Sequence, residues 1–268
     1  MGSSRNENFL TSSYYNDNGI TLYHDRCEVI LPTLPDCSVD MVLADLPYQQ
    51  TRNTWDSAID LDFLWPQYRR IVKPNGAIIL FGQGMFSAVL MMSNPKEYRY
   101  SLIWEKDRPT GFLNANRMPL RSHEDIHVFY RSLPTYHPQM WQGEPQHSRG
   151  IGGGVNAKKT TNYGAYTNDP EDPRAGNTLK HPRSVLHFPK PHPAKHPTEK
   201  PVALCAYLIR MFSNPGDVVL DNTAGIASTG VACQHAGGRR FIGIECDEEY
   251  CQIAVDRFAV HNPMERSA

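Results

Sequence analysis

The stretch from Asp217 to Glu245 admits few folds. Asp217-Val218-Val219-Leu220-Asp221 is a short β-branched run, opened by the turn pair Pro215-Gly216 and ended by a carboxylate. A run of that kind between turn signals reads as a buried strand. A loop of small residues follows, then helical spacing from about Ser228, then a second apolar strand, Phe241-Ile242-Gly243-Ile244-Glu245. Parallel strands need a crossover, and one helix supplies it, so the unit is βαβ. Small side chains let the backbone approach a ligand at a helix N-terminus, where amide groups point outward. Glu245, about 20 residues past the loop, stands where a carboxylate can bind ribose hydroxyls. Asp221, Thr223, Gly225, Ser228 and Glu245 are therefore candidate nucleoside-binding residues. The competing reading is an ordinary crossover with a tight turn. The loop does not spell Gly-x-Gly-x-x-Gly, which disfavours a dinucleotide.

A second cluster lies near the other end. Val39-Asp40-Met41-Val42-Leu43-Ala44 reads as a buried strand and runs directly into Asp45-Leu46-Pro47-Tyr48. These four residues offer a carboxylate, a carbonyl, a stiff turn and an aromatic ring. Two acceptors can take the hydrogens of an exocyclic amine while the ring stacks on a flat base. Taken singly, Asp45 reads as a helix cap after a strand and Tyr48 as a half-buried turn aromatic.

Between the clusters, strand-like and helix-like segments alternate, which predicts an α/β fold with a mostly parallel sheet covered by helices. Ile59 to Val72 is expected to be a helix ended by Lys73-Pro74-Asn75-Gly76. Strands are expected at Ala77–Phe81, Tyr100–Trp104 and Ile126–Tyr130, and a helix at Met85–Met92. Ser132 to Lys195 changes texture, being rich in Gly, Pro, His, Tyr and Asn with little periodicity. Thr198 is a candidate N-cap for a helix carrying Val202, Cys205, Ala206, Ile209 and Phe212 on one face, and Asp247 caps a last helix reaching about Phe258. The formal net charge is −1. An acidic or basic whole-protein field is thereby excluded, so any polyanion must meet a local basic surface. The segment from Lys158 to Lys200 holds such an excess. No apolar run is long enough to span a bilayer, and no apolar signal core opens the chain, so a cytoplasmic location is expected. The six cysteines form no Cys-x-x-Cys pair and read as reduced, mostly buried thiols.

With these motifs in order, the chain resembles the amino-methylating DNA methyltransferases, in the permuted β group that includes many phage-borne and solitary bacterial enzymes. The resemblance spans about Tyr23 to Phe258. It rests on Asp45-Leu46-Pro47-Tyr48, on Trp104-Glu105-Lys106, Gly111-Phe112-Leu113-Asn114 and His123-Glu124-Asp125-Ile126, on His196-Pro197-Thr198-Glu199-Lys200-Pro201, and on Asp221 through Cys233. It implies a Rossmann-like sheet in permuted motif order, with 20–131 as the catalytic half, 132–195 as an inserted target-recognition region and 196–260 as the cofactor-binding half. It implies methyl transfer from S-adenosyl-L-methionine to adenine N6 in double-stranded DNA, on a base rotated out of the duplex. Asp45, Leu46, Pro47 and Tyr48 carry the catalytic role. Asp25 and Lys200 join the cofactor residues, and Lys158, Lys159, Arg174, Lys180 and Arg183 are expected to meet DNA. Nucleoid association and a homodimer follow from the resemblance alone, and no metal is called for. Two departures stand out: Leu46 replaces the family's usual proline, and Thr223, Gly225 and Ala227 stand where Phe-x-Gly-x-Gly is common. A methyl thus replaces hydrogen at Ala227, where backbone and ligand approach closely.

Two functional alternatives accompany this reading: transfer to cytosine N4, and a non-catalytic DNA-binding relative. A third signature competes. His123-Glu124-Asp125-Ile126-His127 spells the zinc-protease pattern, which requires a helix, whereas the run into Val128-Phe129-Tyr130 favours a strand.

Overall fold

Val39–Ala44 (β3) alternates its side chains between two apolar layers: Met41 and Leu43 join one buried cluster, Val42 and Ala44 the other. A strand apolar on both faces belongs inside a sheet covered on both sides. The structure, a computed structural model, describes residues 12–47, 59–144, 158–160, 164–166, 178–193 and 199–260. It falls into two compact units, one of residues 1–137 with 184–268 and one of 138–183.

In the larger unit the strands are Tyr15–Asp17 (β1), Ile20–His24 (β2), β3, Val72–Gly82 (β4), Tyr98–Thr110 (β5) and Arg121–Phe129 (β6). In the smaller unit lie Trp141–Gln142 (β7), Lys158–Thr160 (β8), Gly164–Tyr166 (β9) and Leu179–Lys180 (β10). The larger unit resumes with Val185–His187 (β11), Val218–Asp221 (β12) and Arg240–Glu245 (β13). Its helices are Cys27–Ile30 (α1), Leu61–Ile71 (α2), Met85–Ser93 (α3), Val202–Phe212 (α4), Ser228–Ala236 (α5) and Glu248–Val260 (α6).

The sheet order is β1-β2-β13-β12-β3-β4-β6-β5-β11. Strands β2, β13, β12, β3 and β4 run parallel, β6 is antiparallel to both its neighbours, and β11 adds a parallel edge to β5. Apolar residues of α4, α5 and α6 cover one face and those of α1, α2 and α3 the other. From β12 the chain crosses to β13 on one side, and from β3 to β4 on the other. Neighbouring strands whose chains depart in opposite directions leave a crevice at their carboxyl ends, where open α/β sheets bind ligands.

Several boundaries differ from expectation for physical reasons. The hairpin β1–β2 was not expected, although Asn18-Gly19 is the pair such two-residue loops need; both adopt positive φ, 49° and 79°. Lys73-Pro74-Asn75-Gly76, expected to end the helix ahead of a strand at Ala77, lies inside β4, which begins at Val72 directly behind α2. It is absorbed as an irregularity inside β4, where pairing jumps from Val39↔Val72 to Met41↔Ala77. α4 begins at Val202 behind Pro201, with no side-chain cap; Thr198, the expected cap, lies outside the described residues. Asp247 does cap α6, its Oδ1 accepting the amide of Glu249 at 2.9 Å. The histidines of the protease-like signature lie on β6. Four residues along a strand separate them by about 13 Å, too far to share one metal ion.

Candidate active site

The register between β12 and β3 pairs Val219 with Met41 and Leu220 with Val42. Continued past the strand ends, it sets Thr223 opposite Asp45. There the Thr223 hydroxyl donates to the Asp45 carbonyl at 3.1 Å. The two clusters, distant along the chain, are thus stitched together at the crevice. Leu46 is buried with the apolar residues under α2. Its side chain anchors the turn from below, a restraint unlike that of a second proline ring. Tyr48 lies outside the described residues.

The Asp45 carboxylate pairs with the Lys200 ammonium. Lys200 also reaches Glu124 at 3.2 Å, and Glu124 reaches Lys106 at 2.5 Å. Asp45, Lys200, Glu124 and Lys106 form a chain of alternating charges running from the crevice into the sheet. Burial disfavours the Lys200 ammonium, but Asp45 and Glu124 outweigh it and hold the group above the usual lysine range. Burial would raise the Glu124 carboxyl; Lys200 and Lys106 overcome this and hold it below the usual range. At Lys106 burial prevails over Glu124 and the group titrates low. Lys200 also lies 5.1 Å from the centre of the Phe81 ring. The resemblance counts Lys200 among the cofactor residues; its ammonium lies against Asp45.

The small-residue loop is tied to β13. Gly225 donates its amide to Glu245 Oε2 at 2.6 Å, and Glu245 Oε1 accepts the amides of Cys246 and Asp247, each at 2.9 Å. A carboxylate offers about four acceptor positions, and three are engaged here. Gripping both hydroxyls of a ribose therefore requires Glu245 to release one of these amides. Gly225 has φ 52°, and a Cβ built there meets nothing within 4 Å, so it opens onto free space. Asp25 follows β2 and donates its amide to the Glu245 carbonyl at 3.0 Å, which places it at the same rim. Asp221 is buried and accepts the Thr223 amide at 3.2 Å. Burial pushes its carboxyl up to about 7, against the hydrogen bonds from Thr229 and Thr223; the neighbouring charges of Asp45 and Glu245 add to the rise.

That shift has a measurable sign. An unfolded aspartate titrates near 3.9, so between that value and about 7 the folded chain binds more protons at Asp221. Its contribution to stability is fully present below pH ~4 and is lost as pH rises towards 7, with a limiting slope of about 1.4 kcal/mol per pH unit. Denaturant unfolding at pH 5 and pH 8 is expected to show that loss, and Asp221→Asn to remove most of it. An undiminished difference in the variant would contradict the assignment.

Two further residues surround the loop that periodicity alone did not single out. Arg257 on α6 donates to the Ile226 carbonyl at 2.7 Å and the Ser228 hydroxyl at 3.2 Å, and pairs with Glu199 at 2.9 Å. It thereby joins the loop to the segment that carries Lys200. A signal existed, because Arg257 falls on the stripe of Cys251, Ala254 and Phe258 that α6 buries. Tyr68 on α2 donates to the Asn222 side-chain oxygen at 2.5 Å, fixing the first residue after β12. No local pattern pointed to that pair.

Ala227 adopts φ 54° and ψ 46°, the left-handed region. It is wholly buried among core residues, so its methyl packs inward, away from the crevice. The departure from glycine is conformational rather than a direct obstruction. Left-handed geometry costs a non-glycine residue roughly 1–2 kcal/mol. Glycine would relieve this but lose about 0.8 kcal/mol of methyl burial and about 0.7 kcal/mol of chain entropy. Ala227→Gly is thus expected to change stability by less than about 1 kcal/mol and to leave ligand affinity unaltered within about threefold. A tenfold affinity gain by calorimetry would show that the methyl does stand in the ligand's path.

Of the residues expected to meet DNA, Lys180 lies on β10, which pairs with β7, and the Arg183 guanidinium stacks on Trp141 at 4.8 Å. Lys158 and Lys159 lie on β8, of which the backbone alone is described, and Arg174 is outside the described residues. All six cysteines are free thiols, four of them buried. No helix among the described residues is long and apolar enough to cross a membrane, and no group of three metal-binding side chains occurs among them.

The chain is 27% identical over 256 residues to the DNA adenine methyltransferase YhdJ of Escherichia coli K12, covering 90% of this chain and 83% of that protein. It is 25% identical over 283 residues to the type II methyltransferase M2.DpnII of Streptococcus pneumoniae, covering 94% of each. Among solved structures it shares its fold with the M1.HpyAVI–SAM complex (TM-score 0.59, 23% identity, 89% of this chain and 99% of that one). It also shares it with the cytosine-N4-specific PvuII DNA methyltransferase (TM-score 0.65, 15% identity, 94% and 90%). The N6/N4 methyltransferase family model, described as DNA methylase, matches residues 39–256, and the chain belongs to that family.

Proposed function

We propose that this chain transfers a methyl group from S-adenosylmethionine to the N6 amine of an adenine rotated out of duplex DNA. The observation that carries the reading is the junction of Asp45 with the Thr223 loop, which sets an amine-gripping motif beside a nucleoside-binding loop. The donor set fits the cofactor. Asp221 and Glu245 offer carboxyl acceptors for the ammonium and hydroxyl groups of such a ligand, and Gly225 opens onto free space beside them. When bound, S-adenosylmethionine supplies an electrophilic methyl group.

The residues then have distinct tasks. The lone pair of an adenine amine delocalises into the ring, so the nitrogen is a poor nucleophile. Asp45 and the Leu46 carbonyl accept its two hydrogens, which localises the lone pair and aims it. Lys200, fixed between Asp45 and Glu124, holds the carboxylate in one orientation. Positioning and electrostatics supply the acceleration, and no cysteine is needed as a nucleophile. Tyr48 stacks on the target base. Asp25 and Glu245 hold the nucleoside end of the cofactor, and Asp221, Thr223 and Ser228 line the loop beside it. The segment 132–195, with Lys158, Lys159, Arg174, Lys180 and Arg183, reads the DNA site.

Adenine is preferred to cytosine because a relative matched by sequence, YhdJ, is a DNA adenine methyltransferase. The shared fold does not choose, since a cytosine-N4 enzyme has it too. Action on chromosomal DNA in the cytoplasm, and self-association, complete the reading; sedimentation tests the latter. The deciding experiment incubates labelled S-adenosylmethionine with DNA, resolves the nucleosides and maps the modified position by sequencing. N6-methyladenine is expected. N4-methylcytosine would correct the base, and absence of label would leave a DNA-binding relative without catalysis.

A further inference from the structure

Beyond the edge of β4, strands β5 and β6 continue as a two-stranded arm. β4 ends at Gly82, paired with Asp125, whereas the β5–β6 pairing runs on through Glu105↔His123 to Thr110↔Arg121. Glu124, at the base of the arm, is joined through Lys200 to Asp45. The arm therefore rises from the same rim as the candidate catalytic carboxylate. Arg121 stands three residues further out, about 10 Å along a strand.

The tip is ordered. Gly111 takes φ 96°, a backbone state open to glycine, and a short helical turn at Phe112–Asn114 follows. Successive bonds hold it: Asn114 to Gly111 at 2.9 Å, Ala115 to Phe112 at 3.1 Å, Arg117 to Asn114 at 2.8 Å. Below the tip, Arg108 donates to the Lys190 carbonyl at 2.7 Å and Asp107 accepts the Lys190 amide at 2.7 Å, which braces the arm. Yet its apolar side chains point into water. Leu113 is fully exposed and Phe112 is 67% exposed, with Met118 beside them. A folded tip that presents Leu and Phe outward is a contact surface awaiting an occupant.

The charge pattern says which. From Thr110 to His123 the arm carries Arg117 and Arg121 and no acidic residue, while Arg108 below them pairs with Asp107 at 3.2 Å. An apolar point flanked by cations suits a base stack flanked by phosphates. We propose that Leu113 is the wedge that enters the duplex when the target base leaves it, with Phe112 stacking beside it and Arg117 and Arg121 meeting the adjacent phosphates. This rests on the methyltransferase reading above. It adds a second DNA contact, distinct from the segment 132–195. Leucine inserted between base steps occupies the space the departing base vacates, which slows its return and raises the population held at Asp45.

The test compares two duplexes containing the mapped site: one fully paired, one with an abasic position opposite the target base. In the second the base is already unpaired, so a wedge has little left to do. Leu113→Ala, at an exposed position, is expected to keep the wild-type melting temperature. It should lower the single-turnover methylation rate on the paired duplex by about 10- to 100-fold and on the abasic duplex by less than about threefold. A fluorescent adenine analogue at the target should brighten less with the variant on the paired duplex. Wild-type rates on the paired duplex, or equal losses on both duplexes, would overturn the proposal. So would a fall in oligomer mass, which would assign the tip to a second copy of this chain. If the wild-type protein methylates neither duplex, the functional reading fails and the wedge with it; if it methylates both and the variant matches it, the wedge alone fails.

Discussion

Asp45→Ala is expected to lower methyl transfer by at least about 10³-fold while S-adenosylmethionine affinity stays within about threefold of wild type. The carboxylate is one of two acceptors that orient the amine, and Lys200, which touches it, is a donor only. The cofactor loop has its own supports in Glu245, Arg257 and Tyr68, none of which passes through the Asp45 side chain. Single-turnover rates and calorimetry on the same preparation check both halves. Turnover retained within tenfold would remove Asp45 from the catalytic role; loss of cofactor binding would mean that the carboxylate holds the loop as well.

The second large effect concerns Lys200. Among Asp45, Lys200, Glu124 and Lys106 the charges alternate and cancel. Lys200→Met leaves a buried surplus of negative charge. Breaking a buried ion pair from one side costs about 3–5 kcal/mol. The lower end is expected here, because Lys106 still faces Glu124 and the Asp45 side chain is 22% exposed. Activity should fall about 10²-fold in kcat, since the carboxylate loses the group that orients it, with cofactor affinity nearly unchanged. Lys200→Arg keeps the charge but not the compact ammonium geometry, and should recover more stability than rate. A tenfold loss of cofactor affinity with kcat intact would restore Lys200 to the role its sequence neighbourhood suggested.

These two cases mark how far the sequence could be read. Asp45 was legible because it follows a strand-like run and precedes a stiff turn, a pattern contained in ten residues. The βαβ unit from β12 to β13 was legible for the same reason, as were β3, α2, α3 and α5. The hairpin β1–β2 was missed although its Asn-Gly turn is a local signal; its strands are short and half polar, and alternation over three to five residues is weak evidence. β11 was missed because Val185–His187 is a strand only by virtue of its pairing with β5. Lys200 was legible as a site residue but its pairing with Asp45 was not, nor was the support that Arg257 and Tyr68 give the loop. The partners of all three lie on other segments of the chain.

Residue types and their local spacing thus decided what chemistry this chain carries, because strand period, helix caps and small-residue loops are short-range consequences of backbone sterics. Which groups meet was decided by strand order. Setting β12 beside β3 brings Thr223 to the Asp45 carbonyl across 178 residues, and the same rim brings Lys200 to the Asp45 carboxylate across 155. That order is set by the summed burial of two apolar layers against the entropy of closing long loops, a balance that no window of sequence contains.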